Sequence, residues 1–323
     1  MRISVPTALL AILLATPGSG QEKPSSQDQP VQAPTFRQSV NLVNLFFTVK
    51  DKHGALVPNL PRDQFDVVED GKPQTIKYFS AESNLPLTLG IMIDSSGSME
   101  RMLPEEQVIA GDFLRQVLTD KDLAFVISFD VSVDLLQDLT SDVHLLRKGL
   151  EKAKTNVGTA SMGRPGLGQG PIPISNPRGT LLYDAVYLGA SDVLGKQVGR
   201  KAMIILTDGV DEGSRLKLKD AMEAAQKADA ICYVLLMFDP HYGSDMSDMS
   251  RLAEQTGGRA ISVGRTDKLS KAFAEIANEL RSQYSIGYTP TNEKHDGSFR
   301  KIEVKSKDGY KIQARKGYYA PAS

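Results

Sequence analysis

The stretch that decides the fold is Leu87-Thr88-Leu89-Gly90-Ile91-Met92-Ile93-Asp94-Ser95-Ser96-Gly97-Ser98. Its first seven residues carry no charge at either odd or even positions, which favours a strand buried on both faces, as in a parallel sheet. The chain turns polar at Asp94 and stays polar to Ser98. We therefore predict a buried strand that ends in a polar turn at one edge of a sheet.

Uncharged runs and amphipathic segments alternate after this stretch. Strands are predicted at 123–129, 133–139, 202–206, 231–237 and 260–263. Helices are predicted at 104–118, from a cap at 140–142 to 153, and at 180–194, 216–228, 247–255 and 269–283. This alternation indicates an α/β domain with a doubly wound, mostly parallel sheet. Ligands bind beyond the carboxyl ends of such strands, so Asp94 and Asp208 are expected at the same edge.

Both ends of the chain have β character instead. Strands are predicted at 40–49, 65–69, 74–79, 284–288, 299–304 and 310–314. Asp70-Gly71 between two alternating runs is a strong hairpin signal. We predict that the two ends together form a second, small β-sandwich domain, with the α/β domain inserted between them.

The first residues have the pattern of a targeting segment. Arg2 supplies positive charge, an apolar run ends at Ala15, and small residues follow at 18–20. We predict a signal peptide at 1–20, a disordered linker at 21–36, β-sandwich segments at 37–84 and 284–323, and the α/β domain at 85–283. An uncleaved anchor is the alternative. The mature protein is expected to be periplasmic, on the outer surface or secreted, without an integral membrane segment.

Charge and cysteine content exclude other classes of protein. With 38 basic and 39 acidic side chains, the net charge of −1 gives no indication of a nucleic-acid partner. The single cysteine, Cys232, cannot form an internal disulfide. It lies in the apolar run 230–236, so a buried and inert thiol is expected.

The turn after the first buried strand offers hard oxygen donors. Asp94 supplies a carboxylate, and Ser96 and Ser98 supply hydroxyls. Mg²⁺ prefers six oxygen ligands and usually keeps several waters, so a few hydroxyls and carboxylates suit it. Gly97 is expected to permit the tight turn.

Asp-x-Ser-x-Ser at the end of this strand resembles the signature of the von Willebrand factor type A domain. In that family it opens the metal-ion-dependent adhesion site (MIDAS). The resemblance covers about residues 85–283. It implies a threonine in a later loop and an aspartate after the fourth strand, and Thr180 and Asp208 fall at these positions.

The resemblance also implies roles. Ser96 and Ser98 would bind the metal directly, and Thr180 would bind it in one conformational state. Asp94 and Asp208 would act largely through water. The cofactor would be Mg²⁺, with Mn²⁺ and Ca²⁺ as alternatives. An open coordination position would take an Asp or Glu side chain of a protein partner, so adhesion or scaffolding is expected and enzymatic activity is not.

The whole chain resembles a narrower group, the exported bacterial "von Willebrand factor A-related domain" proteins of the acidobacterial type. The segments that carry this resemblance are 40–43, 47–51, the hairpin 65–79, Gly287-Tyr288 and 315–319. This resemblance implies an architecture and no particular biochemical role.

Other interpretations stay open. The site could be vestigial, with binding carried by the β-sandwich. Asp94 could accept a phosphoryl group, although Ser96 stands where a second carboxylate is needed, and no Walker motif is present. Ser96 or Ser98 could be a hydrolase nucleophile with His241, although the chain has no Gly-x-Ser-x-Gly elbow.

Further acidic residues and one long loop complete the candidates. Asp130, Asp134 and Asp138 are interpreted as solvated charges at a sheet edge. Asp239, Asp245 and Asp248 flank a loop close to the same sheet edge and could add a weak cation site, although the favoured interpretation is that they bind no metal. The irregular segment 154–179 carries Lys154, Arg164 and Arg178 and no acidic residue. We predict that it borders the metal and forms part of a surface for an acidic partner.

Overall fold

Three β-sheets and six α-helices make up the part of the chain that the computed structural model describes, residues 42–81, 85–155, 179–237, 246–264 and 266–322. The strands are β1 (Val43–Lys50), β2 (Phe65–Glu69), β3 (Lys72–Gln74), β4 (Ile76–Ser80), β5 (Leu87–Asp94), β6 (Leu123–Phe129), β7 (Val133–Thr140), β8 (Arg200–Thr207), β9 (Ala230–Met237), β10 (Ala260–Val263), β11 (Tyr284–Tyr288), β12 (Phe299–Ser306), β13 (Lys311–Ala314) and β14 (Gly317–Tyr319). The helices are α1 (Leu103–Val117), α2 (Val143–Leu150), α3 (Leu182–Leu188), α4 (Leu218–Lys227), α5 (Met246–Thr256) and α6 (Thr266–Arg281).

The central sheet has six strands in the order β10-β9-β8-β5-β6-β7. Every neighbouring pair is parallel except β6 and β7 at one edge, which are antiparallel. All eight residues of β5 are buried, as its uncharged pattern predicts. The doubly wound, mostly parallel α/β sheet predicted from the sequence is therefore confirmed.

Helices cover both faces of this sheet. Alternate residues of β5, such as Leu89 and Ile91, pack in one apolar cluster with α1, α2 and α6. Met92, which points to the other face, belongs to a second cluster with α3, α4 and α5. This two-sided burial explains why the central strand carries no charge on either face.

The ends of the helices follow their local sequence. Asp142 caps α2, because its carboxylate accepts hydrogen bonds from the backbone N–H groups of His144 and Leu145 at 2.8 and 3.4 Å. The helix predicted at 180–194 differs: α3 is followed by a π turn at Gly189–Val193 and a 3₁₀ turn at Leu194–Lys196. Gly257 ends α5 with a φ of +93°, a backbone conformation that favours glycine.

Two four-stranded sheets contain strands from both ends of the chain. Their orders are β13-β1-β11-β4 and β14-β12-β2-β3. Phe47 and Tyr284 of the first sheet and Phe65 of the second lie in one buried cluster, with ring centroids 5.2–5.4 Å apart. All three sheets belong to one compact unit, residues 40–323, and the proposed division of the chain into domains stays a prediction.

The predicted hairpin is present but shorter than expected. Asp70 and Gly71, with φ of +47° and +81°, connect β2 to β3. The predicted strand at 74–79 divides instead: Gln74 ends β3, and β4 joins the other sheet beside β11. Strand β14 was not predicted. The partner of β4, strand β11, comes from the opposite end of the chain, which local pattern does not reveal. Strand β14 pairs with β12, which lies close to it in the sequence.

Glu279 of α6 links the helical layer to the sheet formed by β1 and β13. Its side chain is buried and accepts hydrogen bonds from Lys50, Arg259 and Gln313 at 2.9, 2.8 and 3.2 Å. Arg259 also reaches Glu275, a more exposed acid on the same helix, at 2.7 Å. One buried carboxylate therefore holds two cations from different parts of the fold.

Cys232 is buried, as predicted, and burial raises the pKa of its thiol to about 12, so it stays protonated and unreactive.

Among the described residues, no helix has the length and apolar character needed to cross a membrane. The predicted signal peptide at 1–20 and linker at 21–36 lie outside the described residues.

Candidate metal-binding site

The site begins where β5 and β8 end side by side. The two strands are parallel and pair Ile93 with Leu206, so the residues that follow meet at one edge of the sheet. The hydroxyl of Thr207 donates to Oδ2 of Asp94 at 2.7 Å. Oδ1 of Asp94 accepts from the backbone N–H of Ser96 at 2.9 Å. Asp94 is fully buried, and both of its oxygens are held by neighbours.

Two serine hydroxyls continue from Asp94 to Asp208. The hydroxyl oxygens of Ser96 and Ser98 lie 3.1 Å apart, and Ser98 donates to Oδ2 of Asp208 at 2.6 Å. Oδ1 of Asp208 accepts from the backbone N–H of Val210 at 3.1 Å. Both serines are half-buried, so solvent reaches them. Four of the five predicted residues therefore form one hydrogen-bonded group.

Thr180, the fifth predicted residue, is placed at the same edge by its backbone. Its carbonyl oxygen accepts from the N–H of Glu212 at 3.1 Å, and the next residue, Leu181, donates to the carbonyl of Asp130 at 2.8 Å. The loop that carries Thr180 is thus anchored between the ends of β6 and β8. Thr180 is buried, with 6% of its surface exposed.

Asp130 corrects one interpretation. It was expected to be a solvated edge charge, but only 4% of its surface is exposed. Its Oδ1 accepts from the backbone N–H of Ser132 at 3.0 Å. It is buried because β6 lies beside β5 inside the sheet, so its end is covered by the loop of Thr180. Asp134 and Asp138, on the edge strand β7, are exposed as expected.

Two contributors to this edge were not predicted. Thr207 holds Asp94 and also accepts from the N–H of Gly209 at 3.0 Å. Glu106 of α1 is fully buried. The sequence did contain a signal for Glu106, since it falls at helical spacing within the apolar face formed by Leu103, Ala110, Leu114 and Val117.

The carboxylates of the site have shifted pKa values. Burial raises the pKa of Asp94 to about 7; hydrogen bonds from Ser96 and Thr207 act against this rise, and the charge of Asp208 adds to it. Burial likewise raises the pKa of Glu106 well above its ordinary value, and the charge of Asp94 raises it further. In both groups burial therefore acts against the charged form.

Comparisons with known proteins give matches only among solved structures. No protein-family model matches the chain, and no curated protein matches it. A von Willebrand factor type A structure from Catenulispora acidiphila matches with 12% identity and a TM-score of 0.46, over 87% of this chain and 74% of that one. The von Willebrand factor domain of the pili tip protein Mfa5 from Porphyromonas gingivalis matches with 12% identity and a TM-score of 0.42, over 61% and 95%.

The chain is thus similar in fold to von Willebrand factor A structures. Proximal thread matrix protein 1 from the mussel byssus also matches, with 15% identity and a TM-score of 0.48, over 71% of this chain. The chain spans about half the length of that protein, 48%. Another structure of the mussel protein has a zinc-occupied MIDAS motif. At these identities the likeness is one of fold alone.

The donors of this von Willebrand factor A-like chain fit a hard divalent cation. Among the described residues, no group of three or more His, Cys, Asp or Glu is placed to hold a metal. The donors that do meet are the hydroxyls of Ser96 and Ser98 and the carboxylates of Asp94 and Asp208, all of them oxygen. Oxygen donors of this kind suit Mg²⁺, Mn²⁺ and Ca²⁺.

The turn of the von Willebrand factor A-like motif does not require its glycine. Gly97 has no positive φ, and a Cβ built on it would meet no atom within 4 Å. The expectation that Gly97 permits the turn is therefore wrong. The turn is a short 3₁₀ segment, Gly97–Met99, with an ordinary backbone.

The structure describes part of the residues proposed for a hydrolase, for the alternative cation site and for the loop surface. The Ser98 hydroxyl donates to Asp208 and not to a histidine. His53, His144 and His295 are exposed, and His241 lies outside the described residues. Of the alternative cation site, Asp239 and Asp245 also lie outside them, while Asp248 accepts from the Tyr183 hydroxyl at 3.2 Å. Most of the predicted loop surface, 156–178, is likewise outside the described residues.

Proposed function

We propose that this protein is an exported recognition module that captures an acidic side chain of a protein partner through a divalent cation. The observation that carries the proposal is the hydrogen-bonded group that runs from Asp94 through Ser96 and Ser98 to Asp208. It brings hydroxyls and carboxylates from two separate strand ends to one edge of the sheet. No catalytic turnover is part of the proposal.

Each residue has a distinct part in holding the cation. The half-buried hydroxyls of Ser96 and Ser98 are the donors that solvent reaches, so they would bind the metal directly, with Thr180 joining them. Asp94 and Asp208 would hold these donors and the metal-bound waters from the buried side. When bound, Mg²⁺ would supply a Lewis-acidic position that faces solvent.

An acidic partner follows from the charge of this arrangement. A cation held mainly by neutral oxygens keeps much of its positive charge, so it attracts a carboxylate from outside. The exposed Lys154, at the start of the predicted partner-binding loop 154–179, adds positive charge to that segment. Deleting residues 156–178 is therefore expected to weaken partner capture and leave the fold intact.

The experiment is a pair of titrations on the purified chain. Calorimetry with Mg²⁺, Mn²⁺, Ca²⁺ and Zn²⁺ should detect one divalent site, which Ser96→Ala and Asp94→Ala remove without unfolding the protein. Zn²⁺ is included because the mussel protein carries it. Capture of partners from the native surface fraction should then require the metal and be blocked by chelator or by free glutamate.

Two outcomes would favour the alternatives. Capture that persists in chelator, and in Asp94→Ala, would support a structural interaction protein with a vestigial metal site, which binds through the sheets at the chain ends. Turnover that depends on Ser98 or His241 would support a hydrolase. Either result would contradict capture through a metal.

Export is the second part of the proposal. The targeting pattern at 1–20 supports it, and the proposed domains are the α/β domain at 85–283 and a β-sandwich from 37–84 and 284–323. Fractionation of the native cell with mass spectrometry of the N-terminus tests it. We expect a periplasmic, surface or secreted protein that begins near Gln21. A cytoplasmic protein that keeps residues 1–20 would contradict export.

A further inference from the structure

Glu106 is a buried acid beside the candidate site that no hydrogen bond of the site uses. It lies in the first turn of α1, where its backbone N–H donates to the carbonyl of Met102 at 3.0 Å. Its side chain is fully buried, and neither carboxyl oxygen has a hydrogen-bond partner in the part of the chain that the structure describes. A buried polar atom without a partner is uncommon and calls for an explanation such as an ion or an ordered water.

The surroundings of Glu106 are negative. The charge that acts on its carboxyl is that of Asp94, and Asp94 is in turn acted on by Asp208. Glu106 lies in the first turn of the helix that follows the Asp94–Ser98 turn, and Asp94 and Asp208 come at the ends of the paired strands β5 and β8, so the fold brings the three acids into one row. Among the described residues, no lysine or arginine forms a salt bridge with any of these three.

Such a row requires positive charge or protons. Burying a carboxylate is costly unless a counter-charge accompanies it. A divalent cation at Ser96, Ser98 and Asp208 would supply two positive charges beside this row. The positive end of α1 also favours a negative charge in its first turn, though only weakly.

Neither carboxyl oxygen of Glu106 is hydrogen-bonded to a donor of the site. No three acidic, histidine or cysteine side chains of the described residues are placed to hold one metal together. Both carboxyl oxygens of Asp94 already accept hydrogen bonds, one from Ser96 and one from Thr207, on the side where the metal donors lie. With these contacts, an effect of Glu106 on the cation would pass through Asp94 or through a water.

We propose that Glu106 is a positioning residue of the metal site, which acts through Asp94 and adds buried negative charge that tightens divalent binding. This inference rests on the proposed function, because it needs a cation at the site. In a purely structural role, Glu106 would only fill space in the apolar face of α1, and its charge would have no effect on the metal.

The test compares Glu106→Gln, which keeps the shape and removes the charge, with Glu105→Gln on the exposed side of the same turn. Mn²⁺ binding to the full chain is measured by calorimetry and electron paramagnetic resonance. Thermal unfolding in chelator is measured alongside. We expect Glu106→Gln to weaken Mn²⁺ binding by roughly 10- to 100-fold, the usual effect of removing an outer-shell partner. Its unfolding temperature in chelator should equal or exceed that of the wild type.

The outcomes distinguish a failure of this inference from a failure of the proposed metal-binding function. Unchanged Mn²⁺ affinity in Glu106→Gln overturns the role of Glu106 alone, and so does an equal loss in Glu105→Gln. A wild-type chain that binds no Mn²⁺ overturns the metal site and this inference with it. Glu106→Met provides a second uncharged variant: if Glu106→Gln does not fold, weakened Mn²⁺ binding by a folded Glu106→Met supports the role, and wild-type affinity overturns it.

Discussion

The hydroxyl of Ser98 donates a 2.6 Å hydrogen bond to Oδ2 of Asp208, although the two residues are 110 positions apart in the sequence. The bond joins the turn after β5 to the end of β8. Hydrogen bonds from a hydroxyl to a carboxylate are short and stronger than those between neutral groups. The two residues therefore act as one unit, and removing either should disturb both the local structure and the proposed metal site.

Ser98→Ala tests this unit. We expect the free energy of unfolding in chelator to fall by about 1–2 kcal/mol, because a hydrogen bond to a charged group is lost. Divalent affinity should fall sharply in calorimetry. Ser298→Ala is the matched control, since Ser298 donates a 2.7 Å bond to Asp296 on the exposed surface. Its effect should stay within about 0.5 kcal/mol. Equal effects of the two variants would contradict the conclusion that Ser98 and Asp208 act as one unit.

The pH dependence of the metal-free protein follows from Asp94. Its pKa is about 7 in the folded state, against an ordinary value of 3.8, so between these two pH values the folded protein binds a proton that the unfolded chain does not. That stabilisation is complete below the unfolded pKa and is lost as pH rises through 7. At pH 8 the loss is at most roughly 4 kcal/mol.

Urea unfolding in chelator at pH 5, 6, 7 and 8 measures this slope. Stability should fall between pH 5 and 7 and level off above pH 7, and Asp94→Asn should flatten the fall between pH 5 and 7. Added Mg²⁺ should restore stability at pH 8, since the cation replaces the proton. A metal-free wild type whose stability rises from pH 5 to 8 would refute the prediction.

The buried carboxylate of Glu279 should contribute more to stability than the exposed carboxylate of Glu275. Glu279→Gln leaves Lys50 and Arg259 without their buried partner, so we expect a loss of about 3–5 kcal/mol. Glu275→Gln removes an acid of which 43% is exposed and which pairs with Arg259 at 2.7 Å. Its loss should stay below about 1 kcal/mol. Chemical denaturation of both variants gives the comparison. Similar losses of stability would show that Glu279 contributes no more to the fold than Glu275 does.

Substitution by alanine should affect stability very differently at Gly97 and at Gly258. Gly97→Ala should change stability by less than about 0.5 kcal/mol and leave divalent binding intact, because its Cβ meets no atom within 4 Å. A Cβ on Gly258 would lie 1.9 Å from the carbonyl oxygen of Cys232, which belongs to the backbone of β9. Gly258→Ala should cost about 3 kcal/mol or more. Thermal unfolding distinguishes the two, and a destabilised Gly97→Ala would restore the requirement for glycine in the turn.

Much of the α/β part was predictable because its signals are local. A strand without charge on either face, β5, has to lie inside a sheet covered on both sides, and it does. Asp142 was among the three candidate caps and is the one that closes α2. The strands at the chain ends were predicted with less success: β4 depends on β11 from the opposite end of the chain, and β14 is a strand of only three residues beside β12.

The sequence by itself determined the buried strand, the polar turn from Asp94 to Ser98 and the order in which Thr180 and Asp208 follow. Hydrophobic pattern and motif order are properties of the chain alone. Only the tertiary structure decided that Thr207 holds Asp94, that Asp130 is buried and that the buried carboxyl of Glu106 has no hydrogen-bond partner among the described residues. These facts depend on the register of parallel strands and on which face of α1 meets the sheet. Both are set by packing between distant segments, and no short stretch of sequence encodes them.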